Sequence, residues 1–465
     1  MSKKKTERLA LPVSGKNPYT LRKALVKGGP VAWLSCLVMG FGNFMGFQFV
    51  KGLLFLAIEV GFFWFMFVAE KGGMHWLRLL GPLGDYERKE IVMHDDFLGD
   101  FIYYENVGDN AQTALLYAVA TLALCLVFLF FWWVSVRSGY QAYSIKKQGL
   151  KPNSFWQDIK DLFDTKIHNL LMTPPIIGIL CFTVLPLLYM IPMAFTNYTA
   201  PDHLVMFDWT GWDTFKDVLN MEGAIGKQFW GVLGWTLVWA FFATFLNFFL
   251  GTFVAIIINR PTTRLKGLWR ALLSVTIAVP QFVSLLIMKS MLDNNGIINR
   301  MLLANGHDMI PFLADTTWAR ITVIVVNLWV GIPYTIMQVT GILKNIPADQ
   351  YEAARIDGAN VAQQFLHITL PYMIFVMTPY IITSFTGNIN NFNVIYLLTG
   401  GAPTKLGNTA GDTDLLVTWL YKLSMDKYQY NVAAVIGIFT FVVLSIVSLI
   451  TYRSSGSYKD EEGFK

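Results

Sequence analysis

The 465-residue chain has little charge and little cysteine. Charged residues make up 14% of the sequence, against about 25% in soluble domains, and apolar residues reach 54% with a mean hydropathy of +0.46. The three cysteines, Cys36, Cys125 and Cys181, lie singly in apolar runs without a CxxC pair, so no disulfide framework is indicated. The composition therefore predicts a membrane protein rather than a soluble domain.

Nucleotide-binding and catalytic motifs are also lacking. No GxxxxGK[ST] phosphate loop occurs, because the Gly-Lys pairs at 15–16 and 226–227 are followed by Asn and Gln. There is no HExxH, GxSxG or Cys/His cluster, and we interpret the adjacent His-Asp-Asp at 94–96 as a solvated loop rather than a metal site. We therefore expect a chain that is not an enzyme and that binds no metal and no cofactor.

Eight apolar runs are long enough to cross a membrane as helices, which takes about 20 residues each. A ninth run, 31–50, is separated from the next only by Lys51, and one residue does not turn the chain between antiparallel spans. We expect an interfacial or re-entrant hairpin there, with a true span as the alternative. The eight predicted spans cover residues 52–69, 111–136, 172–195, 230–258, 271–292, 321–343, 372–391 and 432–451.

The distribution of positive charge predicts the orientation. With the N-terminus inside, the cytoplasmic segments carry 23 Lys and Arg and the external segments carry 11, as the positive-inside rule requires. Both termini are therefore expected in the cytoplasm. The first thirty residues are basic without an apolar core, so we expect no cleavable signal peptide. Their charge is interpreted as an orientation signal that can touch anionic lipid, not as a nucleic-acid site.

Four sections are predicted along the chain. Residues 1–110 comprise a cytoplasmic segment, the hairpin, the first span and an acidic external loop. Residues 111–229 hold two spans and a short external loop. Residues 230–452 form a core that includes a cytoplasmic loop at 344–371, and residues 453–465 form a cytoplasmic tail. Glu59, in the first span, has no visible partner; we expect a structural role or a protonated state rather than a proton relay.

The cytoplasmic loop contains YEAARIDGANVAQQFLHITLP at 351–371. Pro347 suits a first helical turn, Gly358 permits a sharp turn, and a second short helix is expected at 361–367. The pattern predicts a helix–turn–helix outside the membrane, suited to contact with another protein. An ordinary surface loop is the alternative.

Polar residues form a stripe on the penultimate span. Ser384, Asn388 and Asn391 are spaced i, i+4 and i+7, and Gly387 beside them leaves room. Polar groups in a span face the bundle interior or a wet cavity. The stripe is equally compatible with hydrogen bonding between helices and with a neutral, hydroxyl-rich ligand, which an amide can both donate to and accept from. Tyr334, in the preceding span, could stack on a sugar ring or simply pack.

These motifs together resemble a known family. The loop at 351–371 is similar to the EAA motif of membrane subunits of bacterial ABC importers. The segments NLWVGIPY, SFTGNINNFNVIYLLTGGAP and AGDTDLLVTWLYKL are similar to the larger membrane subunit of maltose/maltodextrin importers. The similarity runs from about residue 230 to 451. It implies an all-α polytopic membrane protein with about eight transmembrane helices and the type I ABC importer transmembrane fold.

The resemblance also implies two sets of functional residues. A sugar site in the membrane is implied at Val330, Gly331, Tyr334, Ser384, Asn388 and Asn391. Coupling to an ATPase is implied at Glu352, Ala353, Ala354, Asp357 and Gly358. One departure is that the family has an aromatic residue where Gly387 stands, so a stacking surface is missing.

The implied function is import of maltose, maltodextrin or a related oligosaccharide across the bacterial cytoplasmic membrane. The implied partners are a second, homologous permease, two ATPase subunits that use ATP and magnesium, an external sugar-binding protein, and membrane lipid. Alternatives are an ABC permease for another solute such as glycerol phosphate, an ion-coupled secondary transporter, and a membrane enzyme.

Overall fold

The structure, a computed structural model, describes residues 19–95, 99–260 and 262–454. They fall into two units. The first comprises Met1–Pro192 with Asp202–Trp209, and the second comprises Met193–Pro201 with Thr210–Lys465. Most of the predicted tail, and Asp96 of the triplet at 94–96, lie outside the described residues. The predicted division at 110, 229 and 452 stays a prediction.

The first unit is built mainly of helices, with a hairpin of two strands between the fifth and sixth of them. A π-helical turn, Leu180–Val184, joins the last two helices into one continuous span. Its elements are α1 (Leu21–Lys27), α2 (Gly29–Leu37), α3 (Phe41–Met45), α4 (Phe49–Phe67), α5 (Gly73–Leu79), β1 (Glu87–Asp95), β2 (Gly99–Val107), α6 (Ala111–Lys147), α7 (Phe155–Phe163), α8 (Ile167–Ile179) and α9 (Leu185–Met193).

The run at 31–50 does not form a continuous span. It folds into α2 and α3, of nine and five residues, which are too short to cross a bilayer. The chain breaks between them at Gly40, whose φ of +83° favours glycine. At that break Glu59 of α4 accepts a hydrogen bond from the Met39 backbone N–H at 2.8 Å, and Ser135 of α6 accepts one from the Gly40 N–H at 2.9 Å. Glu59 therefore has a backbone partner that the sequence did not reveal.

The acidic segment after α5 contains the strands β1 and β2, which pair in antiparallel register from Glu87↔Val107 to Asp95↔Gly99. The sequence analysis treated this segment as a loop and missed the hairpin. The two strands pair locally, with only residues 96–98 between them, and helical periodicity and hydropathy do not report strand pairing.

The second unit holds the remaining spans. A second π-helical turn, Phe365–Thr369, lies between the seventeenth and eighteenth helices. The elements are α10 (Asp213–Leu219), α11 (Ala224–Asn259), α12 (Lys266–Ala278), α13 (Gln281–Leu292), α14 (Ile297–Ala304), α15 (Thr316–Asn345), α16 (Ala348–Ile356), α17 (Val361–Gln364), α18 (Leu370–Ile389), α19 (Phe392–Leu398), α20 (Leu416–Met425) and α21 (Tyr430–Ser454).

Seven helices in the described residues are long and apolar enough to cross a membrane, and a bent pair raises the number to eight. This confirms the predicted fold class of about eight spans. The bent pair, Lys266–Ala278 with Gln281–Ala304, turns by 90° where a single span over 271–292 was expected. Pro280 explains the break, since it lacks an N–H and drives the preceding Val279 to an extended conformation, with ψ of 129°.

Two apolar clusters hold the second unit together along α11 and α15. One centres on the fully buried Trp239 with Val323 and Ile395, and the other on Phe248 with Val339 and Met373. Between the clusters, α11 and α15 present amide and hydroxyl side chains to each other and to α18. The predicted polar stripe therefore lies in an apolar bundle, with Asn388 beside the cluster around Trp239.

Beyond α19 the chain is braced by a buried carboxylate. Asp414 accepts hydrogen bonds from Lys422 Nζ at 2.7 Å, from the Gly411 N–H at 2.7 Å and from Thr418 Oγ1 at 2.9 Å. Burial raises the pKa of the Asp414 carboxyl, although Lys422 opposes that shift. Gly401 packs against the same carboxylate so closely that a Cβ would lie 2.1 Å from Oδ1. This network anchors the end of the chain segment that carries the polar stripe.

Candidate functional site

Asn388 and Asn391 are brought together at the end of α18. Asn391 Nδ2 donates a hydrogen bond to Asn388 Oδ1 at 3.3 Å. Asn391 is also the N-cap of α19, because its side-chain oxygen accepts from the Val394 N–H at 3.3 Å. The third member of the stripe, Ser384, lies one turn earlier in α18 and is half-buried.

Asn388 is tied to α11 as well. Its Nδ2 donates to Thr244 Oγ1 at 3.0 Å, and its backbone carbonyl accepts from Trp239 Nε1 at 3.0 Å. The residue is 9% exposed. These contacts show that Asn388 joins helices, which was one of the two interpretations left open by the sequence.

Asn327 of α15 completes the amide cluster, which we define as Asn327, Asn388 and Asn391. Asn327 Oδ1 accepts a hydrogen bond from Asn391 Nδ2 at 3.5 Å, and Asn327 is 5% exposed. Its Nδ2 is buried and has no hydrogen-bond partner among the residues that the structure describes. A buried amide donor normally has a partner. Asn327 Nδ2 can therefore donate a hydrogen bond to an added acceptor such as a hydroxyl.

The sequence analysis missed Asn327, although a signal was present. Asn327, Val330 and Tyr334 are spaced i, i+3 and i+7, so they share one face of α15. On this helix Val330, Gly331 and Tyr334 were named as sugar-site residues, and Asn327 was passed over. Asn327, the first residue of NLWVGIPY, was a stronger signal of a polar site than Tyr334, because an amide in a span needs a partner.

The other implied residues of α15 differ in accessibility. Val330 packs against the apolar cluster around Trp239. Tyr334 is 47% exposed, so its ring is free to meet a ligand or a neighbouring subunit. Gly331 faces α11, and a Cβ there would lie 2.6 Å from Asn247 Nδ2. Glycine at 331 is therefore required for the close approach of α11 and α15.

Buried polar atoms continue along the α11–α15 contact. Asn247 Oδ1, Thr252 Oγ1 and Thr335 Oγ1 all lack hydrogen-bond partners within the described part of the chain. Asn247 Nδ2 is occupied by the Ala243 carbonyl at 2.6 Å. A run of unpaired polar atoms between two helices is suited to ordered water.

Gly387 leaves an open position beside the amide cluster. It is exposed, and a Cβ built there would meet no atom within 4 Å. Among the described residues, nothing fills the space beside Gly387.

The loop at 344–371 forms the expected pair of short helices. Gly358, with φ of +79°, turns the chain after α16. Asn360 and Gln363 then form a reciprocal capping box that starts α17. The implied coupling residues Glu352, Ala353, Asp357 and Gly358 are exposed, and Ala354 is half-buried.

A cleft of about 310 Å³ opens on the same loop. Apolar side chains beside it are unusually accessible, with Ile356 87% and Val361 70% exposed. Exposed apolar side chains grouped in this way mark contact surfaces. The cleft is lined by Ala354, Asp357, Gly358, Ala359, Gln363, Gln364, His367 and Ile368.

The loop is fastened to the span that carries the amide cluster. Tyr351 of α16 and Thr369, the residue before α18, share a hydrogen bond between Oη and Oγ1 at 2.8 Å. The π-helical turn at Phe365–Thr369 runs directly into α18. Such turns are rare and concentrate at functional sites.

Comparison with known proteins places this geometry in context. Residues 247–455 match the family described as binding-protein-dependent transport system inner membrane component. The chain is 35% identical over 439 residues to the galactooligosaccharides transport system permease protein GanP of Bacillus subtilis, covering 93% of this chain and 99% of that protein. It is 31% identical to the maltodextrin transport system permease protein MdxF of the same organism, covering 96% and 99%.

A further relative shows where the similarity is concentrated. The maltose/maltodextrin transport system permease protein MalF of Escherichia coli is 38% identical over 252 residues, which is 53% of this chain and 49% of MalF. Among solved structures, a bacterial alginate ABC transporter has a chain that superposes with a TM-score of 0.53 at 24% identity, covering 65% of this chain and 98% of that one. This likeness concerns the fold.

These relatives confirm the resemblance inferred from the sequence motifs, and GanP extends it to nearly the whole chain. The extent and identity of the match, together with the multiple spans, decide the assignment. The chain belongs to the family of binding-protein-dependent transport system inner membrane components.

Proposed function

We propose that this chain is the permease subunit that carries a neutral oligosaccharide, a maltodextrin or a galacto-oligosaccharide, across the bacterial cytoplasmic membrane. The observation that carries the proposal is the amide cluster, buried in an apolar bundle, in which the Asn327 Nδ2 donor has no partner among the described residues. Amides exchange hydrogen bonds in both directions with sugar hydroxyls. The names of GanP and MdxF support the same class of cargo.

A charged cargo fits the bundle poorly. The predicted spans 230–258, 321–343 and 372–391, which contribute the amide cluster and its partners, contain no Lys, Arg, Asp or Glu. A phosphate group is normally held by Arg or Lys through charge-assisted hydrogen bonds. Glycerol phosphate is therefore the less favoured cargo.

The sugar site that we propose consists of two faces. Val330, Gly331 and Tyr334 lie on α15 together with Asn327, and Ser384, Asn388 and Asn391 lie on and just after α18. The half-exposed Tyr334 ring supplies an apolar face for a pyranose. Because Asn388 already joins α18 to α11, we assign the larger share of direct sugar contact to Asn391 and Asn327.

Family membership makes the chain a multi-pass inner membrane component and a transport subunit rather than an enzyme. It also implies a solute-binding protein and an ATPase as partners. We propose in addition a second, homologous permease and two ATPase subunits, with both termini of this chain in the cytoplasm. ATP and magnesium would then be used by the ATPase, and this chain itself would bind no cofactor.

The coupling loop, residues 351–371, would receive the motion of the ATPase. Its exposed Glu352, Asp357 and Gly358 offer contacts, and the Tyr351–Thr369 hydrogen bond passes displacement to the base of α18. Since α18 leads to Asn388 and Asn391, closure of the ATPase would tilt one wall of the sugar site. The site would open outward to receive sugar and return inward after hydrolysis.

The proposed cargo is tested by uptake into proteoliposomes that contain the chain with its partner permease, ATPase and binding protein. We expect ATP-dependent uptake of labelled maltodextrin or galacto-oligosaccharide that excess glycerol phosphate does not inhibit. Uptake driven by an ion gradient without ATP would contradict the proposal and favour a secondary transporter. Uptake of glycerol phosphate alone would contradict the sugar assignment.

The coupling role has its own test. Gly358→Ala places a side chain at a positive φ, which costs about 1–2 kcal/mol in backbone strain, and Glu352→Ala removes an exposed carboxylate. We expect both variants to lose ATP-dependent uptake while the complex still assembles. Gly358→Asn is the matched control, because asparagine tolerates this conformation better. Normal uptake in both variants would remove the loop from coupling.

A further inference from the structure

A second cavity, of about 650 Å³, opens in the first unit between the end of α4 and the start of α6. It is separate from the sugar site and lies outside residues 247–455. Its lining changes character along its length, from charged and aromatic side chains at one end to apolar side chains at the other. The lining residues are Phe65, Lys71, Trp76, Asp109, Thr113, Tyr117, Ala120, Thr121 and Leu124.

The cavity follows one face of α6. Thr113, Tyr117, Thr121 and Leu124 are spaced i, i+4, i+8 and i+11, so they line a groove along the helix. From Thr113 to Leu124 the helix rises roughly 16 Å at 1.5 Å per residue. One leaflet of the hydrocarbon core is about 15 Å deep. The groove is therefore about as long as one leaflet is deep.

Hydrogen bonds and ring contacts hold the side chains at the polar end of the cavity in place. Asp109 accepts hydrogen bonds from Lys71 Nζ at 2.7 Å and from His75 Nε2 at 2.9 Å. Lys71 also lies over the Trp76 ring at 5.8 Å, and Trp76 stacks on Tyr117 with centroids 4.6 Å apart. The backbone N–H of Asp109 is held by Asp85 Oδ1 at 2.8 Å. These contacts fix a cation, a carboxylate and two aromatic rings beside the start of α6.

Lys71 and Asp109 stabilise each other's charged form. Burial raises the pKa of the Asp109 carboxyl, but the hydrogen bonds from Lys71 and His75 outweigh it and hold that pKa below its usual 3.8. The hydrogen bond to Asp109 raises the pKa of Lys71 above 10.5. Both groups are therefore charged at neutral pH. The Lys71 side chain stays 58% exposed, which leaves two of its three N–H donors for a ligand.

We propose that this groove binds a zwitterionic membrane phospholipid of the phosphoethanolamine class. One acyl chain lies along the apolar wall between Phe65 and Leu124. The phosphate accepts hydrogen bonds from the free donors of Lys71, and the ammonium group lies against Asp109.

Charge complementarity favours this occupant over others. Besides the Lys71–Asp109 pair, Glu70 and Asp85 place further negative charge around Lys71, so the polar end complements a headgroup that brings an ammonium together with its phosphate. A purely anionic headgroup would bring its negative charge to these carboxylates without an ammonium to offset it. An ammonium with N–H donors can bond a carboxylate, whereas a trimethylated choline cannot. Trp76 and Tyr117 are the residue types that concentrate at the membrane interface.

Native mass spectrometry of the purified, assembled transporter tests the site, with phosphatidylethanolamine and phosphatidylglycerol supplied in equal amounts. We expect one retained phosphatidylethanolamine per chain. Lys71→Ala, which removes the phosphate donors, and Leu124→Trp, which fills the apolar wall, should each lower its occupancy about tenfold, as expected for loss of a charge-assisted hydrogen bond or of the groove. The matched controls are Lys89→Ala on the exposed hairpin and Leu126→Trp on an exposed face of α6 outside the groove.

Three results would overturn the proposal. Equal retention by the wild type and both groove variants would show ordinary surrounding lipid. Preference for phosphatidylglycerol would contradict the zwitterionic headgroup. A photoreactive amino acid at position 124 should crosslink to phospholipid, and crosslinking to a partner subunit instead would identify the groove as a protein contact. The crosslink needs no change at Lys71, so it decides the matter even if Lys71→Ala fails to fold.

Discussion

The side-chain amide of Asn391 lies 3.5 Å from the side-chain oxygen of Asn327. Asn391 ends the chain segment that leads upward from the coupling loop, and Asn327 belongs to α15, on the other wall of the proposed sugar site. The hydrogen bond between them therefore spans the two faces that must separate and rejoin if α18 tilts. A sugar hydroxyl could donate to Asn327 Oδ1 in place of Asn391 Nδ2. That hydrogen bond would then form or break as α18 tilts.

Gly331 is predicted to be required for the approach of α11 to α15. Gly331→Ala places a Cβ 2.6 Å from Asn247 Nδ2 and is expected to destabilise the protein by about 1–3 kcal/mol through overpacking. Thermal unfolding of the purified complex measures the effect. Gly341→Ala is the matched control on the same helix, because nothing lies within 4 Å of that position. Equal melting temperatures for the two variants would contradict the close packing.

Much of this architecture could be predicted from the sequence, because long apolar runs in a membrane protein have few structural options. The parts that could not be predicted depend on contacts between distant residues. Glu59 looked unpartnered because its donor, the Met39 N–H, is a backbone group freed by a helix break. Pro280 carried a readable signal for the 90° bend, which the uninterrupted hydropathy of 271–292 concealed.

In the candidate site too, local patterns could be predicted from the sequence, whereas contacts between distant residues could not. Periodicity alone grouped Ser384, Asn388 and Asn391, and the structure joins the two asparagines. It could not show that Asn388 also bonds Thr244 on α11, nor that Asn327 presents an unpaired donor. Partner choice among buried amides depends on which helices face each other, and one span's sequence does not contain that information.

Glu59 is predicted to act as a hydrogen-bond acceptor and not as a proton carrier. Glu59→Gln keeps an oxygen for the Met39 N–H, so stability and uptake should stay close to wild type. Glu59→Leu leaves that buried donor unpaired and should destabilise the protein by about 1–3 kcal/mol. Thermal unfolding and ATP-dependent uptake measure the two effects. If Glu59→Gln proves as damaging as Glu59→Leu, the negative charge of Glu59 has a role that the hydrogen bond does not explain.

Gly387 is predicted to accept an aromatic side chain. The open space around its Cβ leaves room for Gly387→Phe without loss of thermal stability. The added ring should stack on a sugar and shift the uptake preference toward maltodextrin by about 2–10-fold. Competition between maltodextrin and galacto-oligosaccharide in proteoliposomes gives the preference. Gly387→Leu adds bulk without a ring face, and an equal shift in that variant would argue against stacking.

Tyr351 is predicted to transmit motion from the coupling loop to α18. Tyr351→Phe removes the hydroxyl that bonds Thr369, an interaction with a net value of about 1 kcal/mol. We expect the ATPase rate to persist while sugar uptake per ATP falls up to about fivefold. Tyr372→Phe, at the start of α18, is the matched control. A fall in ATPase rate and uptake together, with their ratio unchanged, would show a loss of assembly or activity rather than of coupling.

The most direct test of the central claim is to map where the cargo touches the chain during transport. A photoreactive oligosaccharide is activated while the reconstituted transporter hydrolyses ATP, and the labelled peptides are identified by mass spectrometry. The account predicts label within residues 327–334 and 384–391, reduced in Asn327→Ala and Asn391→Ala but not in the surface control Asn294→Ala. Label confined to other segments, or unchanged in both site variants, would contradict the account.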